Sequence, residues 1–202
     1  EIRSLGGKAV ADTHSVADED GAAAIIQTAL VSFGSADILV NNAGVSIAAA
    51  VDEMTPADFR LHIEVNLLGP YYLARAAWPH MKAAGYGRIV NITSGSMAGY
   101  ANQAAYAASK GGLWSLTRNL ATEGLPLGIK ANALSPGAFT RMVAATLQDD
   151  SPLLRHAREN LPPELSSPAV AFLAHESCPV TGECIESVGG EVEAGSDMAG
   201  DD

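Results

Sequence analysis

The chain has 202 residues, 48% of them hydrophobic, which is enough for one sizeable core and favours a single domain. A formal net charge of −11 argues against nucleic acid or an anionic membrane as the main partner, because both need a basic footprint. No apolar run approaches the ~18 residues of a membrane span, "EIRSLGGKAV" carries no signal-like stretch, and Cys178 and Cys184 fit neither CxxC spacing nor a disulfide framework, so a reducing, cytoplasmic setting is expected.

Along the chain, "GKAVADTHSV" reads as a short strand and residues 18–33 as an amphipathic helix opening on acidic residues, which suit a helix N-terminus. "ADILV" is a continuous apolar run, expected of a strand buried on both faces, and it ends in "NNAG". Thr55 is an N-cap followed by Pro56 at the first helical position; the helical pattern runs to Met81 with interruptions near Gly69-Pro70 and at Pro79. "GRIVNITS" is the next strand, residues 102–124 a long helix, and "IKANAL" a strand ending in "SPGAFT". Residues 141–167 read as irregular, 169–174 as a short helix and "ECIESV" as a last strand; the acidic tail, 191–202, is expected to stay solvated and unfolded. Alternating strands and helices imply βαβ units and a doubly wound parallel sheet, whose ligands bind beyond the carboxyl ends of the strands.

Chemistry concentrates in "YAASK". Residues four apart share a helix face, so Tyr106 and Lys110 point together, about 40° apart at roughly 100° per residue. A phenol is a poor base at neutral pH, and a neighbouring ammonium lowers its pKa. The tuned hydroxyl can then exchange a proton with a substrate oxygen. From YxxxK alone, a half-buried tyrosine beside a lysine reaching solvent is the commoner outcome. On the far side of the same helix, Ala104, Ala108, Gly111 and Ser115 form a small-residue stripe suited to another helix. The five histidines form no HExxH or His/Cys cluster, and no metal site is expected.

Taken together and in this order, "NNAG", "NITS", "YAASK" and "SPGAFT" resemble the short-chain dehydrogenase/reductase family over residues 1–190. "GGKAVADTHSV", "RAAWPHMKAAGYGRIV" and "FLAHESCPVTGE" resemble its 3-hydroxyacyl-CoA dehydrogenase members. The resemblance implies a Rossmann-like single domain and an oxidoreductase interconverting a secondary alcohol and a ketone with NAD or NADP, NAD favoured. An acyl-CoA substrate and a homo-oligomer, dimer or tetramer, are implied too. It further implies Tyr106 as catalytic acid/base, Lys110 lowering its pKa and binding the nicotinamide ribose, and Ser94 orienting the substrate oxygen. Asn66 would hold a water in a proton relay, a helix-kink asparagine being the alternative. Ser15 and Val16 would contact adenine; Asn41, Ala43 and Gly44 would line the adenosine side; Pro136, Gly137 and Thr140 would border the nicotinamide. Residues 138–167 would form a mobile lid over an apolar substrate.

Two departures stand out. Ser94 precedes Tyr106 by 12 positions, one fewer than the family's habit, and leaves Thr93 as the alternative, since strand alternation lets only one of them face a cleft. The family's glycine-rich phosphate loop is not found, so roughly 50 to 60 residues, the first βαβ portion, are expected to precede Glu1. Taken by itself the chain would then bind no dinucleotide. The alternatives to an enzyme are a catalytically silent scaffold or cofactor sensor with this fold, and an isolated interaction module.

Overall fold

Four parallel strands follow one another across a single sheet: β1 (Ile38–Asn41), β2 (Gly87–Ile92), β3 (Ile129–Gly137) and β4 (Cys184–Val188), with β5 (Glu191–Ala194) antiparallel to β4. The computed structural model describes residues 1–146 and 152–194. Ile89 and Val90, adjacent in β2 and therefore on opposite faces, anchor two cores. Over one face lie α1 (Glu19–Phe33), α3 (Gly69–Ala84) and α4 (Ala104–Gly124), burying Ala22, Ile26, Leu73, Ala77 and Met81 against Ile89 and Ala131. Over the other lies α7 (Ser167–Ala174), with Ala169 and Leu173 against Val90, Leu134 and Ile185. The alanines let helix backbones come close to the sheet, and the two covered faces give the doubly wound α/β fold that strand–helix alternation implied.

Local chemistry sets the helix ends. The Asp18 carboxylate accepts from Gly21 N at 2.6 Å to open α1, and Thr55 Oγ1 accepts from Asp58 N at 3.1 Å to open α2 (Pro56–Ile63), with Pro56 in its first turn. Gly34 at φ 87° and Gly85 at φ 63° end α1 and α3 in the left-handed region. Between α2 and α3 runs a π-helical turn, Glu64–Leu68, so the helical path continues through Gly69-Pro70 instead of breaking there. Pro79 does not interrupt α3 either; it stands on the exposed side, where water can take up the carbonyl its ring leaves unpaired.

Three expectations need correction. Residues 7–16 form no strand: a strand needs a ladder partner, and this segment is held instead by side chains, Arg3 Nε on Ala9 O (2.9 Å) and Thr28 Oγ1 of α1 on Asp12 Oδ2 (2.5 Å). Residues 141–167 are not irregular, since α5 (Arg141–Thr146) and α6 (Pro152–Asn160) fall there, Pro152 being at a first turn that tolerates it. Part of the expected lid, 147–151, lies outside the described residues. The expected solvated tail begins later, because Gly189 (φ 60°) and Gly190 (φ 90°) form a two-residue hairpin that pairs Glu191 with Val188; residues 195–202 lie outside the description.

β1 stands at one edge of the sheet, leaving Ile38 52% and Val40 42% exposed. At its other end the strand is tied inward: Asn41 Nδ2 donates to Asn91 Oδ1 at 2.8 Å, Asn91 Nδ2 to Thr117 Oγ1 at 2.8 Å, and Thr117 Oγ1 to Leu113 O at 2.7 Å. That buried chain fixes the offset between β1, β2 and α4. Among the described residues no helix is long and apolar enough to cross a membrane.

Candidate active site

The carboxyl ends of β1, β2 and β3 open on one cleft of about 460 Å³. Seven of the sequence-predicted residues line it: Ala43, Gly44, Ser94, Tyr106, Lys110, Pro136 and Thr140. Arg141, Met142 and Val143 of α5, within the segment expected to lie over the substrate, add a wall. Thr140 also caps that helix, its Oγ1 accepting from Val143 N at 3.3 Å.

Tyr106 and Lys110 leave α4 on the same side, as four-residue spacing requires; the ammonium lies 5.7 Å from the phenol ring centroid. The electrostatics differ from expectation. Burial pushes the Tyr106 phenol above its ordinary 10.0, and the Ser94 hydroxyl alone pulls it back. Lys110 is buried too, which brings its pKa from 10.5 to about 8, and its Nζ donates to Ile92 O at 2.6 Å. The amine is thus anchored to the end of β2 rather than aimed at the phenolic oxygen. The phenol is a protonated acid, and no lowering by its neighbour is seen.

Thr93 and Ser94 both border the cleft but differ in what already engages them. Thr93 is buried, with Oγ1 donating to Leu134 O at 3.0 Å. Ser94 faces the cleft, its Oγ accepting from Ser96 N at 3.2 Å where the strand turns into a short 3-10 helix.

Asn66, fully buried in the π turn, is a clamp: Nδ2 donates to Val45 O (2.9 Å) and Ser109 Oγ (3.1 Å), and Oδ1 accepts from Val45 N (2.8 Å). It sets the loop after β1 against α4. A Cβ on Gly44 would sit 3.2 Å from Asn66 Oδ1 and 3.8 Å from Lys110 Nζ, so glycine keeps the floor of the cleft open.

Four predicted contact residues, Ser15, Val16, Asn41 and Gly137, lie elsewhere. Gly137 does not line the cleft; a Cβ there would meet Val188 Cγ2 at 2.7 Å, so its smallness serves the approach of β3 to β4. Asn41 is buried in the polar chain described above and, with Val16, borders a separate apolar pocket of about 190 Å³. Ser15 is exposed at the entrance to α1, its hydroxyl accepting from Ala17 N at 3.1 Å. The small-residue stripe is also divided: Ala108 and Ser115 are exposed, whereas Gly111 faces Met97.

His62 escaped the sequence reading. Buried in α2, it donates from Nδ1 to Asp58 O (2.7 Å), accepts Ile47 N–H at Nε2 (2.9 Å), and sets its ring edge-on to Tyr106 at 6.3 Å between centroids. Its position four residues before Asn66 was the available signal. Among the described residues no three His, Cys, Asp or Glu side chains gather as a metal site.

A doubly wound sheet with this Ser–Tyr–Lys cleft at its carboxyl edge is a Rossmann-like α/β structure. The family model described as short chain dehydrogenase matches residues 1–151, and the chain belongs to that oxidoreductase family. It is 42% identical over 194 residues to a short-chain type dehydrogenase/reductase of Mycobacterium tuberculosis, covering 96% of this chain and 66% of that protein. It is 40% identical over 191 residues to the peroxisomal multifunctional enzyme type 2 of Drosophila melanogaster, covering 94% of this chain and 30% of that protein. The crystal structure of a short chain dehydrogenase from Mycobacterium avium superposes with a TM-score of 0.85 at 33% identity, over all of this chain and 68% of the other. The chain therefore spans about two thirds of the mycobacterial proteins and under a third of the insect one.

Proposed function

We propose that this chain carries the proton-transfer half of an NAD(P)-dependent oxidoreductase that interconverts a secondary alcohol and a ketone. The observation that supports this best is the cleft at the strand ends, where Tyr106 and Ser94 adjoin each other with Lys110 behind them. In the reducing direction Tyr106 donates its proton to the substrate oxygen, and burial favours this role by keeping the phenol protonated. Ser94 donates to the same oxygen and steadies its developing charge.

A nicotinamide dinucleotide, which the family generally uses, would supply the hydride. The residues fit such a group: Gly44 opens the floor, Ala43, Pro136 and Thr140 form walls, and Lys110 keeps two N–H donors beyond the one on Ile92 O for ribose hydroxyls. Ser15 and Val16 would lie at its adenine end, with Asn66 supporting the proton relay by holding the Val45 loop against α4. Met142 and Val143 supply apolar surface for a substrate chain, in keeping with a 3-hydroxyacyl thioester. The exposed Ala108 and Ser115 on α4 support a homo-oligomer, and the cytoplasm remains our expected location.

The test is Tyr106→Phe in a protein that carries this chain together with a glycine-rich phosphate loop, assayed by nicotinamide absorbance with a panel of secondary alcohols and ketones. Turnover should fall at least a hundredfold while dinucleotide binding, read by calorimetry, is kept. Unchanged turnover would remove Tyr106 from the chemistry; an inactive parent protein that still binds dinucleotide would favour the silent scaffold.

A further inference from the structure

Beside the cleft lies a second compartment of about 190 Å³, bordered by the same Ser94 and Tyr106 and walled by the α5 side chains Met142 and Val143. Lys110 and Arg141, the cations of the larger cleft, do not line it, and neither does any other Lys, Arg or His. It is an uncharged, largely apolar space that opens beside the hydroxyls placed for the reacting oxygen.

Ser46, in the loop after β1, also lines this compartment, and its backbone is braced on both sides. Before it, Val45 N donates to Asn66 Oδ1 at 2.8 Å and Val45 O accepts from Asn66 Nδ2 at 2.9 Å. After it, Ile47 N donates to His62 Nε2 at 2.9 Å, and Ala49 N to Asn102 O at 2.9 Å. Asn66 and His62, the two clamping side chains, are fully buried. Ser46 itself is only half-buried: its hydroxyl keeps accessible surface and has no hydrogen-bond partner among the described residues. Two buried polar side chains thus hold one unengaged hydroxyl in place before any ligand arrives, which lowers the ordering cost of binding through it.

We propose that Ser46 is a specificity-determining residue: its hydroxyl donates to an uncharged carbonyl oxygen, as in an ester or thioester, on the substrate arm that extends from the reacting carbinol into this compartment. The assignment rests on the oxidoreductase reading for where that arm begins. Its binding content stands separately. A carboxylate on the same arm would leave water for walls that offer it no cation, so the compartment favours the uncharged acyl group over the free acid.

The probes are methyl 3-hydroxybutyrate and 3-hydroxybutyrate, which differ in the charge of the arm. Their binding is measured by ligand-observed NMR, without dinucleotide, in the loop-bearing protein used for the Tyr106 test and in its Ser46→Ala and Ser46→Thr variants. The ester should lose about five- to tenfold in affinity in Ser46→Ala and regain it in Ser46→Thr, which restores a hydroxyl. The affinity of the acid should be the same in all three proteins. No detectable ester binding, an ester affinity unchanged in Ser46→Ala, or an acid that loses as much as the ester overturns the assignment. A loss in Ser46→Ala that Ser46→Thr does not restore would trace the effect to packing and overturn the hydrogen bond. Since neither turnover nor dinucleotide is involved, a failed hydride-transfer assay defeats the proposed reaction without touching this result.

Discussion

Lys110 is the residue whose burial has the clearest thermodynamic sign. Its folded pKa of about 8 lies below the ordinary 10.5, so between these values the unfolded chain holds a proton that the folded one has released. Its contribution is therefore present above about 10.5 and is lost as pH falls to about 8. Stability relative to Lys110→Met should rise over that window, and denaturant titrations at several pH values would show it; a constant difference would contradict the burial argument. Tyr106 carries the opposite shift, and Ser94 alone restrains it. Ser94→Ala should raise the Tyr106 pKa further, visible by ultraviolet titration as the difference from a Tyr106→Phe control. On the proposed reaction, the rate of alcohol oxidation, which would need the ionised phenol, should climb with pH through the alkaline range. The four-residue spacing predicted that the phenol and ammonium share a face, and they do. It could not give the direction of the pKa, because spacing reports proximity and says nothing about desolvation or about a backbone carbonyl competing for the amine.

At the scale of the element, the loops around the cleft are placed by helices through short, specific contacts. A Cβ on Gly21 of α1 would sit 2.2 Å from Ser15 O and 3.0 Å from Asp18 Oδ2, so Gly21→Ala must displace the Ser15–Val16 segment or the start of α1. We expect a loss of about 1–3 kcal/mol in chemical denaturation, accompanied by weaker dinucleotide binding if that segment meets adenine. Asn66→Ala would leave both the N–H and the carbonyl of Val45 without their partner, costing about 2 kcal/mol or more and loosening the Gly44 floor; hydrogen exchange at Val45 would report it. The cap at Thr55 and the acidic opening of α1 were legible because helix-end chemistry is local. Residues 7–16 were misread because local sequence reports at most β propensity, whereas strand formation also needs a neighbour. β5 was missed although "VGGEV" contains a Gly-Gly hairpin signal, since its acidic composition suggested a solvated tail.

For the whole molecule, the four parallel strands and the two cores follow from continuous apolar runs separated by helical periods, which is why the fold class was legible without coordinates. The strand ends that make the cleft were legible for the same reason: Asn-rich and Pro-Gly sequences stand where apolar runs stop. Sheet edges are less readable, because they depend on which strands lie alongside. Ile38 and Val40 at the β1 edge are exposed apolar side chains on a strand with a free hydrogen-bonding side among the described residues, a template for further pairing. Ile38→Lys should reduce concentration-dependent light scattering of this chain without changing its helical circular dichroism; undiminished scattering would place self-association elsewhere.

The π turn at Glu64–Leu68 acts as a phase shifter in an otherwise continuous rod. A helix advances about 100° per residue, so the single residue accommodated by the wider turn decides which way everything upstream of it faces. Removing one residue there would produce a more regular helix and, by the same change, swing His62 away from Ile47 and the aromatic ring it abuts. Length between these two helices is therefore constrained along with the identity of Asn66: a one-codon deletion would rotate α2 against the loop after β1 and against Tyr106.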